Sequence, residues 1–228
     1  MNRVIAIVQA RMGSSRLPGK SLLNLRGKPI VNWISERLKQ SKLLDAVLVA
    51  IPDTQLDKPL QDHLQANGIP WFAGSENDVL SRFASAIQGN DAELIVRVCA
   101  DNPLISGEAV DRLIEFYKDS SLDYAYNHIP RNNLWPDGLG AEIVSRELLL
   151  DLNAAATQPA QREHCFNYIW DNATRFKIGT FDPAESWLRR PDVKLDIDTL
   201  DDYAHLASLP LTPHSSLREI LSAWDGHR

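Results

Sequence analysis

The chain has 228 residues, 44% hydrophobic and 24% charged, with a formal net charge of −6. That usage excludes a disordered chain, and without a basic excess a nucleic-acid partner is not expected. The longest unbroken apolar run, Ala46 to Ile51, falls far short of the roughly 20 residues of a membrane helix, so no membrane partner is expected either.

At roughly 150 residues per domain, the length allows one large domain or two small ones. Val4 to Val8 is too short for a signal-peptide core and is broken by Gln9 and Arg11, so the expected location is the cytoplasm. The same run is β-rich and continuously apolar, the pattern of a strand buried on both faces. Ala46 to Ile51 and Leu94 to Cys99 repeat it. Between the strands lie helical stripes. Ile30, Ile34 and Leu38 follow Pro29, which suits a first turn. Leu56, Leu60 and Leu64 end at Asn67-Gly68, a left-handed cap. Val79, Phe83 and Ile87 stand behind Asp78, and Val110, Ile114 and Tyr117 behind Ser106, both good capping types. Strand alternating with helix predicts an α/β fold with a doubly wound, mostly parallel sheet.

The second half is less regular. Asp123 to Tyr126 and Arg175 to Phe181 are candidate strands, as is Val193 to Ile197. Ser145 to Ala156, Pro159 to Asn172 and Thr199 to Leu209 are candidate helices, and 127–140 reads as a loop. The expectation is one domain over 1–228 with a small inserted lobe near 120–190. Cys99 and Cys165 have no metal-ligand spacing, and Cys99 reads as a core residue.

In open α/β sheets, ligands bind beyond the carboxyl ends of the strands. The first such end leads into Gln9-Ala10-Arg11-Met12-Gly13-Ser14-Ser15-Arg16-Leu17-Pro18-Gly19-Lys20, with three cations and no acid. Gly13, Ser14, Ser15 and Gly19 allow backbone N–H groups to approach an anion. Arg11 and Arg16 offer bidentate forks, and Lys20 a point charge, so the expected ligand is a polyphosphate. A plain solvated turn is the bland alternative. A P-loop is another, since Gly19-Lys20-Ser21 ends like one. However, the leading glycine belongs at residue 14, where Ser14 stands, and the helical pattern starts only near Pro29.

That run, followed by Gly27-Lys28-Pro29, resembles the opening of sugar-activating nucleotidyltransferases. It is most similar to the spore-coat-polysaccharide branch of the cytidylyltransferases, relatives of the acylneuraminate and CMP-KDO cytidylyltransferases. Gly74-Ser75-Glu76-Asn77-Asp78-Val79-Leu80-x-Arg82 and Arg97-x-x-x-Asp101-Asn102-Pro103-Leu104-Ile105 resemble later signatures of that branch. Pro136-Asp137-Gly138-Leu139-x-x-Glu142, Arg162-Glu163-His164 and Asp196-x-Asp198 complete the set.

The resemblance implies a Rossmann-like nucleotidyltransferase fold and transfer of CMP from CTP to a sugar acid. Gln9, Ala10, Arg11, Gly13, Ser14, Ser15, Lys20, Ser75, Arg82, Arg97 and Asn102 are then nucleotide-binding candidates. Arg11, Arg16, Lys20 and Asp101 are the catalytic candidates. It also implies Mg2+ as cofactor, with Asp101 and the Asp196/Asp198 pair closing round the ion. Magnesium needs only one or two carboxylates beside substrate phosphates, and in an extended segment Asp196 and Asp198 share a face. Asp201 and Asp202 read instead as first-turn acids of a helix, and Asp78 as a cap.

Asp137, Glu142, Arg162, Glu163 and His164 fall in the lobe expected to take the acceptor. His164 either orients or deprotonates the attacking hydroxyl, or is an ordinary helix histidine. Trp135 lines a pocket or a subunit contact. Relatives of this kind pair through the lobe, so a homodimer is expected. Asp-x-Asp also allows a metal-dependent glycosyltransferase, and a non-catalytic nucleotide-sugar-binding module is the third reading. Pyrophosphate release, and dependence on Asp101, separate the first reading from the other two.

Overall fold

A computed structural model describes residues 3–227. Its strands are β1 (Val4–Gln9), the short β2 (Asn24–Leu25) and β3 (Lys28–Pro29), β4 (Ala46–Pro52), β5 (Trp71–Gly74), β6 (Leu94–Cys99), β7 (Tyr124–Tyr126), β8 (Glu142–Ser145) and β9 (Ile178–Gly179). The helices are α1 (Ile30–Leu38), α2 (Lys58–Ala66), α3 (Val79–Ala86), α4 (Gly107–Lys118), α5 (Arg146–Ala155), α6 (Pro159–Glu163), α7 (Asn167–Asp171), α8 (Leu200–Ser208) and α9 (Leu217–Gly226). Seven strands form one sheet in the order β5-β4-β1-β6-β8-β7-β9, and β2 and β3 form a separate ribbon. From β5 to β6 every pairing is parallel. β8 is antiparallel to both β6 and β7, and β9 returns parallel to β7.

Strand alternation sorts the core into two layers. Val4, Ala6 and Val8 face α1, α2, α4 and the C-terminal helices, whereas Ile5 and Ile7 face α3, α5 and α7. Caps start the helices where the sequence places them. Asp78 accepts from the Ser81 N–H at 2.8 Å, and Ser106 accepts from the Ala109 N–H at 3.3 Å. Gly68 is left-handed behind α2, as the Asn67-Gly68 pair suggests.

Several expectations are corrected. The strands of the 120–190 region, β8, β7 and β9, extend the same sheet. Pro159 to Asn172 is two short helices, broken at His164, which ends α6 with extended backbone. The candidate strand Arg175 to Phe181 shrinks to Ile178–Gly179. Val193 to Ile197 is extended, but among the described residues its ladder contact is the bridge between Asp137 and Lys194. Pro29 precedes α1 as its cap residue, and Leu56 lies outside α2, exposed. β5, β8 and α9 lay outside the predicted elements. No helix among the described residues is long and apolar enough to cross a membrane.

Candidate active site

β4 and β6 flank β1 on opposite sides, so the chain order reverses between β1 and β6. The carboxyl ends of those two strands make a crevice. Register puts Gln9 opposite Cys99 there, and the Ala100 N–H donates to the Gln9 carbonyl at 3.0 Å. Out of this crevice rises the loop after β1. The Met12 carbonyl accepts from the N–H groups of Ser14 (3.0 Å) and Gly19 (2.9 Å), closing the loop into a ring. The Met12 N–H donates to buried Asp57 at 2.7 Å. Gly19 has φ +73°, a left-handed conformation that costs a side-chain-bearing residue energy. Past it comes a single 3-10 turn, Lys20–Leu22, where a P-loop would begin an α-helix.

A cleft of about 150 Å³ opens beneath the loop, lined by Gln9, Arg11, Ser14, Ser15, Lys20 and Asp101 among others. Lys20 Nζ lies 3.3 Å from Asp101 Oδ2 and 3.6 Å from Asp198 Oδ1, and donates to the Ile197 carbonyl at 2.9 Å. Arg16 donates to Asp198 Oδ2 at 2.8 Å. Ser21, not singled out from sequence, lines the cleft and donates to the Arg11 carbonyl at 3.1 Å. The Arg11 guanidinium has no ion-pair partner among the described residues. Cys99 lines the cleft rather than the core, but burial pushes its thiol up to about 12, so it is not a thiolate near neutral pH.

The far wall comes from residues 193–198, whose odd members are buried while Lys194, Asp196 and Asp198 share the outer face. Gly138 (φ +88°) lets the chain lie against this segment, since a Cβ there would sit 2.9 Å from the Asp196 nitrogen. Asp196 turns to Lys194, 3.4 Å away, and its other carboxylate oxygen is buried without a partner. Burial, then the neighbouring Asp196, raises Asp137 to about 6. Burial also raises Asp196, with Asp198 and Asp101 adding to it against Lys194.

Acids therefore crowd this wall, as a hard cation would require. Among the described residues no three metal-ligating side chains are preassembled. Asp101 and Asp198, both held on Lys20, nonetheless fit an ion whose remaining ligands are phosphate oxygens and water. Asp201 and Asp202 occupy the first turn of α8, where Asp202 completes a capping box with Thr199.

A second cavity, of about 230 Å³, lies beyond Arg97 and is lined by His128, Arg131, Glu142, His164, Asn167 and Trp170 among others. Arg97 and Glu142 face each other across β6 and β8 and form an ion pair. Arg97 also donates to Gln9 Oε1 at 3.1 and 2.9 Å, so these two residues form the wall between the cavities. Of the acceptor candidates, Glu142 and His164 reach this cavity. Arg162 instead binds Asp78 at 2.6 Å and Asn153 Oδ1 at 2.8 Å, and Glu163 is exposed. Asp137 sits by the 193–198 segment.

Other candidates serve local structure. Ser75 accepts from the Asp78 N–H at 3.1 Å. Arg82 is buried and donates to the Ser75 and Glu76 carbonyls, and burial followed by the charge of Arg11 lowers it to about 10. Neither lines the cleft. Asn102 is buried in the turn after β6, and Ala10 lies under the loop. Trp135 is fully buried and donates to the Phe181 carbonyl at 2.8 Å, a core role rather than a pocket wall. Asp57, His128, Arg131 and Trp170 went unmarked from sequence. A histidine and an arginine in the 127–140 loop, which has to end at the sheet edge, were the available signal.

Over 214 residues the chain is 33% identical to the spore coat polysaccharide biosynthesis protein SpsF of Bacillus subtilis, covering 92% of this chain and 87% of that one. It is 36% identical over 201 residues to an uncharacterised protein of Methanocaldococcus jannaschii (88% and 80% covered). A solved cytidylyltransferase from Leptospira borgpetersenii superposes with a TM-score of 0.88 at 29% identity, covering 99% of this chain and 95% of that one. The sequence profile of the cytidylyltransferases matches residues 5–223, and the chain belongs to that enzyme family.

Proposed function

We propose that this cytidylyltransferase uses Mg2+ and transfers CMP from CTP to a hydroxyl of a sugar acid, for the synthesis of a surface polysaccharide. One observation carries the reading. The cations of the first loop meet two acids distant in sequence, with Lys20 shared between Asp101 and Asp198 at the sheet's crevice.

Phosphoryl chemistry of this kind is mostly positioning and electrostatic stabilisation. When bound, the metal ion neutralises charge on the phosphates, and Asp101 and Asp198 are the residues to hold it. Arg11, Ser14, Ser15 and Lys20 line the cleft and grip the triphosphate, while Arg16 and Lys20 stabilise the departing pyrophosphate. At about 150 Å³ the cleft is smaller than the roughly 300–1,000 Å³ of whole-ligand sites, so it takes the phosphates and leaves base and ribose nearer the opening. The acceptor occupies the cavity beyond Gln9, which lines the cleft, and Arg97, which lines that cavity. The name of the Bacillus subtilis relative supports a polysaccharide pathway.

The test incubates each of the four ribonucleoside triphosphates with Mg2+ and a panel of sugar acids. CTP is expected to give pyrophosphate and a CMP-sugar. A nucleoside diphosphate released from a nucleotide sugar would overturn the reading in favour of a glycosyltransferase. Pairing through the 120–190 lobe belongs to the same proposal, and light scattering giving the mass of a single chain would refute it.

A further inference from the structure

Resting on the sugar-acid reading and deepening it, we propose that Arg131, laid on the ring of Trp170, selects an anionic acceptor by pairing with its carboxylate. The charged and titratable groups that face the second cavity are Arg97, Glu142, His128, His164 and Arg131.

Arg97 is not free to recognise an anion. Its partner Glu142 is buried, and the Tyr124 hydroxyl donates to that carboxylate at 2.6 Å. Burial pushes the Glu142 carboxyl up, but Arg97, His128 and Tyr124 outweigh it and hold the group below its ordinary range. The pair is therefore charged on both sides and adds nothing net. Burial pulls the His128 imidazole down more than Glu142 lifts it, so that ring is neutral near pH 7.

Arg131 is different. Its guanidinium carbon lies 3.9 Å from the centre of the Trp170 ring, the residue is exposed, and no carboxylate among the described residues pairs with it. A guanidinium over an indole face keeps N–H donors available, a planar fork that matches a carboxylate. The platform is itself fixed. Tyr124 and Tyr126 pack edge-on to Trp170 with ring centres 5.8 and 5.6 Å away. The break at His164 between α6 and α7 is what brings His164, Asn167 and Trp170 to one cavity. An uncompensated positive charge beside this cavity suits a monoanion, one wall away from the triphosphate cleft.

The side chain can be changed without releasing its loop, because the loop is tied through the Arg131 carbonyl. That carbonyl accepts from the Tyr126 hydroxyl at 2.7 Å and from Asn133 Nδ2 at 3.1 Å. The experiment measures turnover of CTP with N-acetylneuraminate and with 3-deoxy-manno-octulosonate, each against its uncharged methyl ester. Alongside it, calorimetry measures binding of the two acids to the same proteins.

The wild type is expected to favour at least one acid over its ester by tenfold or more. Arg131→Met is expected to raise KM for the acid at least tenfold, with less than a twofold change in KM for CTP, and to collapse the preference. Arg131→Lys is expected to recover part of it. An Arg131→Met protein that keeps the preference, or a wild type that shows none, overturns the proposal. If CTP is turned over with neither acid nor ester, the reaction proposed above fails. Calorimetry then decides Arg131 alone, with a tenfold loss of acid binding in Arg131→Met in its favour and equal or absent binding against it.

Discussion

Two sets of opposite charges lie along the same edge of the sheet and differ chiefly in exposure. Around Lys20, itself 14% exposed, the partners reach solvent, with Asp101 30% and Arg16 65% exposed. Around Arg97 they do not, Arg97 being 13% and Glu142 6% exposed. The Arg16–Asp198 pair is solvent-exposed, and such pairs are worth roughly 0–1 kcal/mol, so it can give way to phosphate and metal at little cost. A buried pair is strongly destabilising to break, because the survivor is left charged and without water. The first set is therefore suited to binding and release, and the second to fixing the wall between two chambers. The cross-strand register of β6 and β8 puts that permanent pair where it is.

The comparison can be broken at its exchangeable half first. Asp101→Asn is expected to lower turnover by on the order of a thousandfold, as loss of a group stabilising transferred charge does, with little change in thermal midpoint. Pyrophosphate release and calorimetric melting measure the two. A variant that instead unfolds while retaining its specific activity would place Asp101 in the structural set.

At the sealed half the signs reverse. Glu142→Gln leaves Arg97 charged and buried and is expected to cost about 3 kcal/mol of stability, read from urea unfolding. A stability loss below ~1 kcal/mol would mean that the pair is as exchangeable as the loop's.

Asp137 sharpens the picture from a third position, where acids outnumber cations. Its folded pKa, about 6, lies above the ordinary carboxylate value because of burial and then Asp196. A raised folded pKa means the native state holds the proton more tightly. Its stabilising contribution is full below the unfolded pKa and is lost as the pH rises through about 6. Asp137→Asn is expected to remove on the order of 2 kcal/mol of that pH dependence between pH 4 and 7. Melts across that range that match the wild type would refute it.

The smallest effect concerns the wall's anchor. Thr199→Ala removes the capping box of α8, next to Asp198, and is expected to cost about 1 kcal/mol with the sheet unchanged. A larger drop in turnover than in stability would show that the cap also sets the position of Asp198.

Much of the parallel half was legible because its signals are local. Apolar runs such as Val4 to Val8 mark strands buried on both faces, and Asp78 and Ser106 stand where their helices begin. The clustered cations of the first loop announce an anion at a strand's carboxyl end. The lobe was harder to read. Glu142 opens a strand with a charge, which patterning disfavours, and only the partner strand makes it tolerable. Arg162 and Arg82 read as ligand groups from motif and type, yet the half-buried and buried guanidiniums take whatever acceptors the fold brings, here Asp78 and the Ser75 and Glu76 carbonyls. His164 ends one helix before another begins, which periodicity spanning Pro159 to Asn172 could not reveal.

The alternation of strand and helix, the caps, the left-handed turn at Gly68 and the basic loop each follow from residues a few positions apart in the chain. Long-range packing is what brings Lys20 to Asp101 and Asp198, neutralises Arg97 with Glu142, and stands Arg131 on Trp170 with its charge uncompensated. Pairing partners depend on strand order and register, and whether a charge is exchangeable depends on the water left around it. Both are properties of the packed chain.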